Sequence, residues 1–203
     1  MMPIISKLEA ESAVQPYFGE LTQVVQSAWN DWRNNELASM MQDKRLRADV
    51  VWNQMIVHAK RRFEGREDVR VNKFSSCRGL LIGDGIYIGF KKADHKLLSR
   101  NFPTPMARAF RDQTQDEMFG GTVRLELVYV LDDAEVEIER IALIQRHINS
   151  IVWVLDLVGE DPMHQNPIPF APTPGPALDG TVASRIIKPK TIKTDDDQQV
   201  NKK

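Results

Sequence analysis

The sequence predicts an α+β fold in which two N-terminal helices pack on an antiparallel sheet of about five or six strands. Three observations predict it. Apolar residues recur every three or four positions as far as residue 63, and from Val69 the spacing changes to two. After Val158 the periodic pattern stops and prolines and polar residues take over. We therefore expect one α+β domain over residues 1–158 and a disordered C-terminal tail over residues 159–203.

The two helices are expected at residues 12–34 and 45–63. Each has an apolar stripe, formed by Leu21, Val24, Val25, Ala28 and Trp32 in the first helix and by Trp52, Ile56, Ala59 and Phe63 in the second. Lys60, Arg61 and Arg62 stand in the last turn of the second helix, where cations complement the helix dipole. Gly65 is a typical C-terminal stop.

A β-hairpin is expected after the second helix. Residues 69–74 alternate apolar and polar side chains, and a short apolar run covers residues 79–82. Gly83-Asp84-Gly85 supplies turn residues, after which alternation resumes over residues 86–90. Residues 94–100 are compatible with a short helix that ends before Pro103.

Three longer strands are expected in the second half of the domain. They cover residues 123–131, 135–144 and 151–157, with turns at Asp132-Asp133 and at residues 147–150. Strands so closely spaced form an antiparallel meander, and the two helices would cover one of its faces. The tail that follows has six prolines within residues 162–176 and no apolar periodicity.

The composition narrows the class of protein. The chain has 203 residues, 42% of them apolar and 27% charged, with a net charge of −1. Without a global basic field, direct DNA binding is expected to be weak or absent. Cys77 is the single cysteine, which indicates a reducing compartment. The sequence has no membrane-length apolar run and does not begin like a signal peptide, so a cytoplasmic location is predicted.

The segment Gln115-Asp116-Glu117-Met118-Phe119 lies between a Pro-rich turn and a Gly-Gly pair. The amide of Gln115 can donate and accept hydrogen bonds together, while Met118 and Phe119 are suited to fill an apolar pocket. The segment resembles the short peptide by which bacterial polymerases and repair proteins dock on the DNA sliding clamp. Its Asp-x-Met-Phe portion is similar to the form in replicative polymerase catalytic subunits. The resemblance implies partner binding through Gln115, Asp116, Met118 and Phe119.

The same resemblance implies a function. A protein that occupies the clamp pocket would compete with polymerase and repair factors and inhibit replication, as a toxin or mobile-element factor does. Similarity to clamp-binding toxins also implies a neutralising antitoxin as a partner. Docking requires residues 115–119 to be extended and accessible. The alternative is that Met118 and Phe119 pack into the core at the end of a helix running from Pro103 to Glu117.

A metal-dependent nuclease is the alternative function. Asp84 followed by Lys91 across a hairpin resembles the PD-(D/E)xK nucleases, whose cation site also needs an acidic residue two positions before the lysine. Gly89 occupies that position. The nuclease hypothesis therefore requires further carboxylates near Asp84, and Glu67, Asp68 and Asp94 are the candidates.

No cofactor, metal ligand or catalytic residue is predicted. None of the four histidines is spaced from another ligand as metal sites require, and Cys77 lacks the flanking pattern of a cysteine enzyme. A non-enzymatic interaction protein is favoured, with enzymatic activity left open. An antitoxin or adaptor that wraps a partner with its Pro-rich tail is a further alternative. Residues 91–104 also resemble an uncharacterised bacterial set, which implies a shared fold over about residues 45–158.

Overall fold

The computed structural model describes residues 4–41, 43–99, 104–115 and 117–158. Three helices open the chain: α1 (Lys7–Val14), α2 (Phe18–Arg33) and α3 (Lys44–Arg62). Ser6 and Glu9 form a capping box at the start of α1. The first predicted helix is divided in two, because Pro16 lacks an N–H and residues Gln15–Tyr17 form a 3₁₀ turn between α1 and α2.

Six strands form one sheet. They are β1 (Val69–Phe74), β2 (Cys77–Ile82), β3 (Ile86–Lys92), β4 (Val123–Leu131), β5 (Ile138–His147) and β6 (Ser150–Val158). The strands lie in the sheet in the order in which they occur in the chain. The predicted α+β class is therefore confirmed, with six strands.

One strand pairing differs from the predicted antiparallel sheet. β3 and β4 are parallel, with Gly89 opposite Glu126, whereas the other four pairs are antiparallel. The connection from β3 to β4 covers residues 93–122 and contains the short helix α4 (Pro105–Arg111). A connection of that length can cross the sheet and return in the same direction, which a tight turn cannot do.

The main apolar core lies between α1–α3 and one face of the sheet. Its buried residues include Leu21, Val24, Ala28, Trp29, Met55, Ile56, Leu80, Ile88, Phe90, Leu125, Leu127, Tyr129 and Leu143. Two smaller clusters cover the opposite face. One is built on Val128, Val130 and Ile144, and the other on Leu81, Tyr87, Phe110 and Phe119. Apolar side chains on both faces of β4 explain why its sequence reads as nearly continuous apolar residues.

Several predicted boundaries shift. In place of a helix at 94–100, residues 94–98 form a turn in which the Asp94 carboxylate accepts hydrogen bonds from the backbone of Lys96 and Leu98. The strand predicted from residue 135 begins at Ile138, since the preceding residues form a turn around Asp132. The tail predicted at 159–203 and Asp116 lie outside the described residues.

Within the described part of the chain, no helix has both the length and the apolar character needed to cross a membrane.

Candidate functional site

A crevice of about 1040 Å³ lies at the carboxyl ends of the parallel strands β3 and β4. Its walls come from the first turns of α3, the β1–β2 turn with the start of β2, the end of β3, the β4–β5 turn and α4. In sheets with parallel strands, ligands commonly bind outside the carboxyl ends, because the connections diverge there and leave an opening. The position of the crevice follows from the one parallel pairing in the sheet.

Three cationic side chains converge on one carboxylate at the edge of this crevice, and two of them, Lys44 and Lys92, line it. Oε2 of Glu135 lies 2.9 Å from Nζ of Lys44 and 2.6 Å from a terminal nitrogen of Arg47. Oε1 of the same residue lies 3.0 Å from Nζ of Lys92. The cluster therefore holds three positive charges against one negative charge. We call Lys44, Arg47, Lys92 and Glu135 the basic cluster.

The surrounding chain explains how the basic cluster forms. Asp43 caps α3 by accepting the backbone N–H of Arg45, which places Lys44 and Arg47 in the first turn. Lys92 is the last residue of β3. Glu135 lies in the β4–β5 turn with a φ of 55°, a left-handed conformation that is uncommon for a residue with a side chain. Helix, strand and turn thus bring the four residues together.

The charge environment sets the ionisation of Glu135. Hydrogen bonds lower the pKa of its carboxyl from 4.5 to about 2, and their effect decreases in the order Lys44, Arg47, Lys92. Partial burial opposes this shift, but the three cations outweigh it. Glu135 is therefore ionised at neutral pH, and the basic cluster carries a net charge of about +2.

The rest of the crevice lining carries charged side chains of both signs, and the whole lining has as many acidic as basic residues. Arg45, Arg78 and Lys91 line it, and in the described part of the chain their side chains form no ion pair. Two of the acidic residues that line the crevice, Asp94 and Asp132, instead direct carboxylate oxygens to backbone N–H groups. The half-buried indole of Trp52 supplies an aromatic surface in the same lining.

A second charge cluster lies beneath α4. The buried carboxylate of Glu126 lies 3.6 Å from Nε of Arg111 and 3.6 Å from Nη1 of Arg146. Both guanidiniums donate to the hydroxyl of Ser99, at 2.8 and 3.3 Å. Burial lowers the pKa of Arg146. Since both oxygens of Glu126 are buried, we assign this cluster to holding α4 and the β3–β4 connection on the sheet.

The segment predicted to bind a sliding clamp is only partly accessible. Residues Glu117–Phe119 form a 3₁₀ turn, and the side chain of Phe119 is 0% exposed. Gln115 is exposed, and 47% of Met118 is exposed. The accessibility that docking requires is therefore not met at Phe119, which packs into the core as the alternative stated. The side chain of Met118 remains outside the core.

The residues of the nuclease hypothesis do not come together. Asp84 lies in the β2–β3 turn and forms an ion pair with Arg70 at 3.0 Å, whereas Lys91 lies near the other end of β3. The strand separates Ile86 from Lys91 by about 17 Å. Asp68 is held by the hydroxyl of Tyr17 and by Arg66. Among the described residues, no three His, Cys, Asp or Glu side chains could hold a metal ion together.

His58, His95 and Cys77 have ordinary structural environments, whereas His164 lies outside the described residues. Nε2 of His58 lies 2.7 Å from a carboxylate oxygen of Asp31 and so connects α3 to α2. His95 is exposed near Asp133. Burial raises the pKa of the Cys77 thiol, which keeps it protonated and poorly nucleophilic at neutral pH.

Sequence reasoning missed the basic cluster, although one signal pointed to it. The first turn of α3 contains Lys44, Arg45 and Arg47 and no acidic residue. Cations at a helix N-terminus oppose the helix dipole, so their presence there suggests a role other than helix stability. Glu135 carried no comparable signal, because the alternating pattern placed it at the start of a strand, where an exposed glutamate is common.

Comparison of the chain with protein-family models, with curated proteins and with solved structures finds no match.

Proposed function

We propose that the protein binds phosphate-bearing ligands, of the class of nucleotides and single-stranded nucleic acid, in the crevice at the carboxyl ends of β3 and β4. One observation carries the proposal: Lys44, Arg47 and Lys92 converge on the single carboxylate of Glu135 within 3.0 Å. Their excess positive charge suits phosphate, because a phosphomonoester offers three acceptor oxygens and up to two negative charges, and a strand offers one charge on each successive phosphodiester.

The rest of the crevice supports a ligand larger than a phosphate ion. Arg45, Arg78 and Lys91 supply further cations among the acidic residues of the lining, and Trp52 offers a surface on which a base can stack. The volume of about 1040 Å³ is at the upper end of pockets that take drug-sized ligands. A nucleotide, or two nucleotides of a strand, is the ligand class with this combination of phosphate and planar ring.

The proposal is tested by fluorescence anisotropy with a labelled 12-nucleotide single strand, with mononucleotides and inorganic phosphate as competitors. Competition by mononucleotides at concentrations similar to the strand identifies a free nucleotide as the ligand, whereas competition by strands alone identifies nucleic acid. Binding should weaken with salt in proportion to the number of phosphates contacted.

The decisive variant is Lys44→Ala combined with Lys92→Ala. We expect binding about tenfold weaker or more and a salt slope smaller by about 1 for each lysine removed. Lys60→Ala with Arg61→Ala is the matched control, because it removes the same charge from exposed positions at the other end of α3. Equal weakening by both variants, or no binding of strand or nucleotide by the unaltered protein, would overturn the proposal.

Sliding-clamp binding is a second candidate, favoured by the exposure of Gln115 and Met118 on one short segment. Docking in the manner of clamp peptides would require Phe119 to leave its buried position, at a cost of about 1.5–3 kcal/mol. Against a micromolar peptide, worth about −8 kcal/mol, that cost weakens binding roughly 10- to 150-fold. Replication inhibition, a toxin role and an antitoxin partner are proposals that depend on this docking.

This candidate is tested by displacement of a labelled polymerase clamp peptide from a bacterial sliding clamp. Gln115→Ala and Met118→Ala are suitable variants because both side chains are exposed and neither supports the core. Displacement by the unaltered protein, and its loss in both variants, would establish the clamp as a partner. Failure of the unaltered protein to displace the peptide would exclude this candidate and leave the crevice proposal untouched.

A further inference from the structure

The carboxylate of Glu135 occupies the point where a ligand phosphate would meet the basic cluster. Its two oxygens take all three cationic contacts, Oε2 from Lys44 and Arg47 and Oε1 from Lys92. An external anion at this point must therefore replace Glu135 or share the cations with it. We infer that Glu135 is an intramolecular competitor that regulates the site, an inference that rests on the proposed function.

The turn that carries Glu135 is built to present it. Oδ1 of Asp132 accepts hydrogen bonds from the backbone N–H groups of Val136 at 2.7 Å and Glu137 at 3.0 Å. The N–H of Glu135 donates to the carbonyl of Asp132 at 2.8 Å. Within this arrangement Glu135 takes a φ of 55°, which a side chain disfavours. The turn holds the Glu135 carboxylate against the three cations of the basic cluster. Its backbone there has a conformation that glycine would adopt more readily.

The contacts that Glu135 makes are suited to exchange. The Glu135 side chain is 26% exposed and that of Lys44 is 75% exposed, so both can move into solvent without disturbing the core. One carboxylate leaves the cluster with two positive charges in excess, which a phosphomonoester with up to two negative charges, or several phosphodiesters of one strand, compensates further. Such a ligand therefore interacts more favourably with the cations than the Glu135 carboxylate does. Glu135 thus sets the minimum affinity that a ligand needs to displace it.

Two variants test the competition with the same labelled 12-nucleotide strand. Glu135→Gln removes the charge, and Glu135→Gly removes the side chain while suiting the backbone conformation. We expect both to bind the strand about 5- to 100-fold more tightly than the unaltered protein, the usual range for one coupled contact. Glu64→Gln is the matched control, since it makes the same chemical change at an exposed residue outside the crevice. We expect it to change the affinity less than about threefold.

The outcomes separate this inference from the proposed function. If the unaltered protein binds the strand and both Glu135 variants bind it equally or more weakly, Glu135 is a structural partner of the cations and the inference is overturned. If the unaltered protein and all variants fail to bind strand and nucleotide, the proposed function fails as well. An equal gain in Glu64→Gln would assign the effect to net charge and would also overturn the inference.

Discussion

The guanidinium of Arg124 lies over the ring of Phe119, with 4.8 Å from its central carbon to the ring centroid. The same guanidinium donates to the backbone carbonyls of Asp112 and Gln115, at 2.8 Å each. Arg124 is itself buried in β4. The segment that resembles a clamp-binding peptide is therefore attached to the sheet through its backbone as well as through its aromatic side chain.

This attachment predicts different effects of truncating two neighbouring side chains. Phe119→Ala should lower the free energy of unfolding by about 3–5 kcal/mol, because it leaves a cavity among Phe74, Phe110 and Arg124. Met118→Ala should change it by less than about 0.5 kcal/mol, since that side chain is half exposed. Urea unfolding followed by tryptophan fluorescence measures both. Similar small effects for the two variants would show that Phe119 is not held in the core.

The buried amide of Gln113 makes a second specific connection between this segment and the sheet. Its Nε2 donates to the carbonyls of Arg124 and Arg146 at 2.9 Å each. Gln113→Ala leaves both carbonyls without this donor, so we expect a loss of about 1–3 kcal/mol in unfolding free energy. Gln115→Ala is the control, because within the described residues its exposed amide makes a single hydrogen bond, of 3.5 Å. Equal stability of the two variants would contradict the bridging role of Gln113.

The sequence was most informative where local patterns decide the structure. The helix stripes and the alternation of β1–β3 and β4–β6 follow from side-chain periodicity, and the β2–β3 turn follows from Gly83-Asp84-Gly85. The parallel pairing of β3 with β4 is not encoded locally. It depends on the path of residues 93–122 across the sheet, and alternation is the same in parallel and antiparallel strands.

The candidate site was predicted less well, because its residues are distant in sequence. Lys44, Lys92 and Glu135 meet only after α3, β3 and the β4–β5 turn are assembled. A short peptide motif, by contrast, is visible in the sequence whether or not its side chains reach the surface. Phe119 fits the clamp pattern and is nevertheless buried, since an aromatic residue before a Gly-Gly turn serves equally well as a core residue.

Close packing between β2 and β3 leads to a prediction about Gly79. A Cβ atom at this position would lie 2.2 Å from the carbonyl oxygen of Ile88. Because that obstacle is backbone within the sheet, Gly79→Ala should cost about 3 kcal/mol or more in unfolding free energy. Gly85→Ala is the matched control, as a Cβ there meets nothing within 4 Å. Thermal unfolding of both variants compares them directly, and a fully stable Gly79→Ala protein would show that the two strands are further apart.

The pH dependence of stability should reveal the ion pairs of Glu135. The pKa of its carboxyl is about 2 in the folded protein and near 4.5 when unperturbed. A carboxyl whose pKa is lowered by folding stabilises the folded state fully above its unfolded pKa, and this contribution disappears as the pH falls through the folded value. The contribution of Glu135 is therefore complete above about pH 4.5 and declines towards pH 2. Its size is at most about 3 kcal/mol.

The test compares urea unfolding of the unaltered protein and Glu135→Gln at several pH values between 7 and 3. We expect the unaltered protein to be more stable at pH 7 and the difference to shrink as the pH falls below 4.5, because protonation in the unfolded state becomes favourable first. If the difference in unfolding free energy between the two proteins stays constant over this range, the charge of Glu135 does not contribute to stability. In that case Lys44, Arg47 and Lys92 would not be held by Glu135 in solution, and its role as a competitor for the phosphate site would lose its physical basis.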